Sequence, residues 1–111
     1  MEFEGYQFWI GKSARGNDQL LKLCHKNDLW LHAKDSAGSH VIIRQRPGSG
    51  VPGHIKERAA EVAAYHSKRK NDTLCPVIVT HRKYVRKRKG DPAGMVRVDR
   101  EEEILLVPPR G

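Results

Sequence analysis

The chain has 111 residues, of which 38% are hydrophobic, and its 21 Lys+Arg against 13 Asp+Glu give a formal net charge of +8. That is enough apolar material for one domain with a modest core, which excludes a disordered chain. No apolar run approaches the roughly 18–20 residues of a membrane span, and the cation excess favours a polyanionic partner.

The opening "MEFEGYQFWIG" places no basic segment ahead of an apolar one. It does not read as a signal peptide, so the expected compartment is the cytosol. Within it, Tyr6, Phe8 and Ile10 alternate with Gln7 and Trp9, the pattern of a strand. "KSARGNDQLLKLCHKND" follows, with a turn over Arg15–Asp18 and Asn17 or Asp18 as helix N-cap. Leu20, Leu21, Leu23 and Cys24 supply the apolar stripe of a short helix. Cys24 and Cys75 lie far apart with no Cys-x-x-Cys spacing, so both are read as free buried thiols.

"DLWLHAKDSAGSHVII" reads as a strand from Asp28, a tight turn at Ser36–Ser39, and a second strand that completes an antiparallel hairpin. "PGSGVPG", residues 47–53, is a Gly- and Pro-rich loop. "HIKERAAEVAAYHSKRK" is the clearest helix, with Ile55, Ala59, Val62, Ala63 and His66 at helical spacing. Its alanines predict close approach to a sheet. "CPVIVTHRKYVRK" reads as one long strand, apolar at first and basic afterwards. "GDPAG" is a turn, and "MVRV" with "EILLV" makes a final hairpin through the acidic link Asp99–Glu103.

The order β-α-β-β-α-β-β-β predicts a single small α+β domain over 1–111. Its sheet is mixed or mainly antiparallel, of about five or six strands, with two helices packed on it. "GKSARGN" carries neither G-x-G-x-x-G nor P-loop spacing, which argues against a nucleotide-binding crossover fold.

Asp28, His32, Asp35 and His40 are residue types that bind divalent metals or act as acid and base. On an extended strand, however, Asp28 and His32 stand about 13 Å apart, too far for one ion. Lys34 beside Asp35 would also repel a cation. A grip on an anion suits these residues better. Lys and Arg neutralise phosphate, His and Ser donate to it, a glycine turn offers N–H groups, and Trp stacks on bases. Trp30 reads first as a core residue. The run "RKYVRKRK" places Arg82, Lys83, Arg86, Lys87, Arg88 and Lys89 within eight residues, a repulsion that a purely structural strand gains nothing from.

"DLWLHAKDSAGSHVIIR" also resembles the NFACT-R domain. This domain is the C-terminal part of the ribosome quality-control factors that tail stalled nascent chains, and of bacterial relatives once called fibronectin-binding proteins. The pattern D-(I/L)-W-(L/F)-H-x-(R/K)-x-x-x-G-S-H-V-(I/V) is met by Asp28, Trp30, His32, Lys34, Gly38, Ser39, His40 and Val41. "IGKSARGNDQLL" is similar to V-G-R-(N/S)-A-x-x-N-(D/E)-x-L, through Gly11, Ala14, Asn17, Asp18 and Leu20. "RAAEVAAYHSK" and "KYVRKRKGDPAGMV" resemble the family's alanine-rich helix and its K-x-V-(R/K)-K-x-K-G segment. One departure stands out. Many relatives carry Asp-Tyr-Thr where this chain has Ile78, Val79 and Thr80.

The resemblance implies a non-catalytic RNA-binding module in the setting of tRNA and stalled ribosomes, without cofactor or metal. The other domains of the tailing factors do not fit in this length, so a stand-alone module is expected. Arg15, His32, Lys34, Ser39, His40, Arg44 and the six cations of Arg82–Lys89 are the candidate RNA contacts. Asn17, Asp18, Asp28, Trp30, Asp35 and Gly38 are the candidate supports. As phosphate contacts, His32 and His40 would be favoured in their charged form, and binding would tighten as pH falls. Two alternatives stay open: a general polyanion binder that also takes DNA, and a metal-dependent nuclease.

Overall fold

Three continuous apolar runs separated by polar connections require a sheet covered on both faces. The computed structural model, which describes residues 1–46 and 50–111, has that arrangement. Six strands run in the order β1 (Glu2–Phe3), β2 (Tyr6–Ile10), β4 (Val41–Ile43), β3 (Leu29–Ala33), β5 (Cys75–His81) and β8 (Glu103–Val107). Every pairing is antiparallel. Helices α1 (Ala14–Leu23) and α2 (Gly53–Tyr65) complete the α+β fold. A short two-stranded ribbon, β6 (Val85–Arg86) with β7 (Arg97–Val98), stands beside the main sheet. Among the described residues, no helix is long and apolar enough to cross a membrane.

The period of two along each strand divides the core. On one face Phe8, Leu29, Leu31, Val41, Ile43, Val77 and Val79 pack against α2. That helix buries Ala59, Ala60, Ala63 and Ala64, whose short side chains let it lie close to the strands as expected. On the other face Trp30, Ile42 and Ile78 form a smaller cluster with Leu21 of α1 and Val85 of β6. Register lines up this second core, because Ile42 lies between Trp9 and Trp30, and Thr80 flanks Trp30 on the far side.

Several boundaries differ from the sequence reading. Strand β1 was not expected; it forms because Glu4 and Gly5, at φ 48° and 83°, close a tight hairpin into β2. Helix α1 starts earlier, with Ser13 as N-cap accepting from the Gly16 N–H at 2.9 Å. Asn17 and Asp18 are thereby inside the helix and free for other partners. Leu23, read as part of the apolar stripe, is 66% exposed. Helix α2 ends at Tyr65, ahead of the predicted stop. Residues 47–49 of the predicted 47–53 loop lie outside the described residues. Cys24 and Cys75 are free, Cys75 buried and Cys24 partly so.

The long basic strand is in fact two strands broken by a 3₁₀ turn at Arg82–Tyr84. The Arg82 and Lys83 N–H groups donate to the carbonyls of Asp28 (2.8 Å) and Lys26 (3.0 Å), which draws the chain off the sheet. The expected final hairpin does not form either. β7 pairs with β6, while β8 returns to the sheet edge beside β5, since only that edge can cover Leu105 and Val107 with α2.

The connection from β3 to β4 is a longer loop than the tight turn predicted, and Asp35, not Gly38, takes its left-handed conformation at φ 53°. Gly38 is needed for closeness. It bridges to Ser67, just past α2, where an added Cβ would sit 2.8 Å from the Ser67 Cβ and 3.1 Å from the His66 carbonyl oxygen. Gly38→Val should therefore separate the loop from the end of α2. We expect a loss of roughly 2 kcal/mol, read as a fall in Tm of about 10 °C, with Ser36→Ala close to the parent.

Candidate functional site

The loop after β3 is fastened from two sides. From α2, the Ser39 N–H donates to the His66 carbonyl (3.0 Å) and the Lys68 N–H to the Ala37 carbonyl (3.0 Å). From α1, buried Asn17 donates through Nδ2 to the Gly38 carbonyl (3.2 Å) and accepts the His40 N–H at Oδ1 (3.0 Å). Gly11 admits this contact, because a Cβ there would overlap the Asn17 amide at 1.9 Å. The next residue, Asp18, holds a second wall. It accepts the Gly94 N–H at 3.1 Å and lies 3.3 Å from the Lys87 ammonium, which also donates to the Met95 carbonyl at 3.0 Å.

Between these walls lies an open cleft of about 720 Å³. Trp30, His32, His40 and Ile78 line its interior, and Lys12 and Lys68 lie at its margins, on the segments that lead into α1 and out of α2. The three rings make one cluster. Trp30 and His32 stack with centroids 5.6 Å apart at 10°, and His40 meets each edge-on, at 5.2 and 5.3 Å. Ile78 pairs with His32 across the strands and gives the cleft an apolar wall.

His32, Ser39 and His40, three of the candidate contacts, come together at the cleft, with Asn17, Trp30, Asp35 and Gly38 around them. Their surroundings oppose the charged form expected of phosphate contacts. Burial pushes the His32 pKa down, and it holds His40 at about 3, helped by His32 and opposed by Asp18. Burial thus works against the cationic form that a phosphate contact would favour in both imidazoles.

Other candidates are engaged by the fold. Lys34 meets Glu101 at 2.6 Å. Arg44 lies 4.1 Å over the Trp9 ring and 3.2 Å from Asp28. Asp28, 1% exposed, accepts the N–H groups of His25 and Gln45, both at 2.8 Å, and is a structural support. In the basic run, Arg82 donates to the Leu21 (3.0 Å) and Val85 (2.6 Å) carbonyls, and Arg86 pairs with Asp99. Lys83, Arg88, Lys89 and, on α1, Arg15 are exposed. Lys12 and Lys68 were missed. Each follows or precedes a motif residue as an ordinary surface lysine, and only the fold brings them to one cleft.

Asn17→Ala would leave the buried His40 N–H without an acceptor, a loss of about 1–3 kcal/mol measurable by urea denaturation. Asn17→Asp keeps the acceptor and should lose less. The depressed His40 pKa also has a consequence for acid stability. The unfolded chain takes up a proton below about pH 6.5 that the folded chain refuses until about pH 3. Stability is therefore full above pH 6.5 and falls toward pH 4, by at most about 1.4 kcal/mol per pH unit for this group. His40→Phe should flatten that fall in a pH series of denaturation curves.

The comparisons with known proteins agree with this architecture. The family model described as the NFACT protein RNA binding domain matches residues 1–98. The chain is 35% identical over 105 residues to the Rqc2 homolog RqcH of Bacillus subtilis, a match covering 94% of this chain and 18% of that protein. It is 26% identical over 106 residues to the coiled-coil domain-containing protein 25 homolog of Dictyostelium discoideum, covering 92% and 52%. The solved C-terminal part of the fibronectin/fibrinogen-binding protein from Streptococcus suis superposes with a TM-score of 0.89 at 36% identity, over 96% of this chain and 43% of that one. The chain thus spans under a fifth of the length of RqcH. With Asn17, Trp30, His32, Gly38 and His40 built into one cleft, and with these matches, the chain belongs to the NFACT RNA-binding domain family.

Proposed function

We propose that this chain is a non-catalytic RNA-binding module that acts on tRNA or ribosomal RNA in ribosome-associated quality control, in the cytosol. The observation that carries this reading is the cleft on the sheet face opposite α2, edged by Lys12 and Lys68, on a chain whose basic segment also exposes Lys83, Arg88 and Lys89. Cations fix the phosphate backbone, and the neutral aromatic interior suits the base or sugar of an unpaired nucleotide. The similarity to RqcH supports the setting of quality control. A hydrolytic role is disfavoured by the arrangement, since His32 stacks on Trp30 and His40 packs edge-on against both rings. Among the described residues, no three His, Cys, Asp or Glu side chains converge as a metal-binding set.

The test is a salt titration of binding to tRNA, a ribosomal RNA fragment and duplex DNA. If about four phosphates are neutralised, log K should fall with log salt at a slope of roughly −3 to −4. Arg88→Glu with Lys89→Glu should flatten that slope by roughly 2 and weaken all RNAs together. A slope unchanged by the double reversal would take this segment out of the interface. Equal affinity for duplex DNA would favour a general polyanion binder, and RNA cleavage that needs Mg²⁺ would sink the non-catalytic reading.

A further inference from the structure

The six-stranded sheet ends on one side at β1, only two residues long, and on the other at β8. Which backbone groups of β8 point outward follows from Pro76. Its carbonyl accepts the Lys34 N–H at 2.9 Å, so its backbone faces β3 and turns away from β8. Pro76 lies opposite Leu106, which makes that a pair without mutual hydrogen bonds. By alternation Glu103, Leu105 and Val107 bond to β5, and the N–H and C=O groups of Ile104 and Leu106 point out of the sheet edge. The same two residues carry exposed apolar side chains, Ile104 at 47% and Leu106 at 65%. Both lie on the face away from α2, because Leu105 and Val107 pack toward that helix. Past Val107 the chain turns onto α2, where the Arg110 N–H donates to the Glu61 carbonyl and Arg58 to the Arg110 and Gly111 carbonyls. An edge that leaves both backbone groups and apolar side chains to water is a template for another strand.

We propose that β8 pairs antiparallel with β8 of a second copy of this chain, about a two-fold axis at Leu105. Outward-facing residues must meet outward-facing residues, which limits the register. Centring on Leu105 sets Ile104 against Leu106 of the second copy and Leu106 against its Ile104, with backbone bonds and apolar contact at both pairs. Centring on Leu106 would bring Ile104 onto Pro108, which has no N–H, and centring on Ile104 would set Leu106 against Glu102. The strand is thus self-complementary in one register, a match that an unrelated strand has no reason to offer. Charge favours the same seam. Glu101–Glu103 is the densest acidic run of a chain with net charge +8, so two copies repel least there. The three carboxylates are also held within the chain by Lys34, His81 and Lys56, so no bare acid cluster faces its copy. The two sheets then become one continuous sheet with the axis perpendicular to it, and both clefts open on one side. This pairing does not depend on what the cleft binds.

The experiment is sedimentation equilibrium of nucleic-acid-free protein from about 10 µM to about 1 mM, in about 0.3 M salt to screen the repulsion between two copies. The mass should rise from 12.6 kDa toward twice that value. We expect a Kd on the order of 100 µM, because so short a seam is well below a standard interface. Ile104→Lys and Leu106→Lys, at positions already exposed in the monomer, should each weaken association about tenfold or more. Hydrogen exchange followed by NMR reads the register. The Ile104 and Leu106 amides should exchange fast in dilute protein and slowly in concentrated protein, while the Leu105 amide, bonded to β5, is protected in both. A mass of 12.6 kDa at every concentration would overturn the proposal and leave this edge to a different chain. A dimer that withstands both lysine variants, or that leaves the Ile104 and Leu106 amides in fast exchange, would overturn it as well.

Discussion

The site depends on two adjacent side chains at the start of α1. Asn17 turns to the loop after β3 and Asp18 to the loop before β7, so one helical turn fixes both walls of the cleft. Their position is set by Ser13, whose N-cap starts the helix four residues ahead of Asn17, and by Gly11, which lacks the Cβ that would block the Asn17 amide. Each amide or carboxylate bond is worth about 1 kcal/mol net. Their value lies in position, because each accepts a backbone N–H of a loop that has few apolar contacts to hold it.

The two faces of the sheet divide the work. The face under α2 is filled with aliphatic side chains and alanines and carries most of the buried apolar area, hence most of the stability. The opposite face has a smaller cluster in which Trp30 packs with Leu21 of α1, and His32 and His40 extend it to the cleft, where only His32 keeps some exposure. The unpaired Trp30 Nε1 and His40 Nδ1 there are tolerable because the first core supplies stability independently.

Charge is distributed by the same logic. Of the six cations between Arg82 and Lys89, Arg82 is spent on carbonyls, Arg86 on Asp99 and Lys87 on the wall of the cleft. The others remain exposed. A basic run thus contributes both the braces that shape the ribbon and the field that draws a polyanion, and density of Lys and Arg alone does not distinguish the two roles. Lys34 and Arg44 show the same ambiguity, since each sits beside a carboxylate that only the fold brings near.

Sequence by itself determined the α+β class, the alanine face of α2 and the strands around Trp30 and Ile42. These follow from local period and from residue types whose chemistry is legible one element at a time. Tertiary structure decided where β8 pairs, where the basic segment breaks, and what Gly38 is for. Those outcomes turn on partners distant in the chain: the Asp28 and Lys26 carbonyls that draw Arg82 and Lys83 aside, and the Ser67 Cβ that Gly38 must approach. The state of the two histidines belongs to the same class. A sequence shows an imidazole beside a lysine and suggests a charged contact, but burial in the cleft makes desolvation the largest effect and disfavours the charged form of both rings.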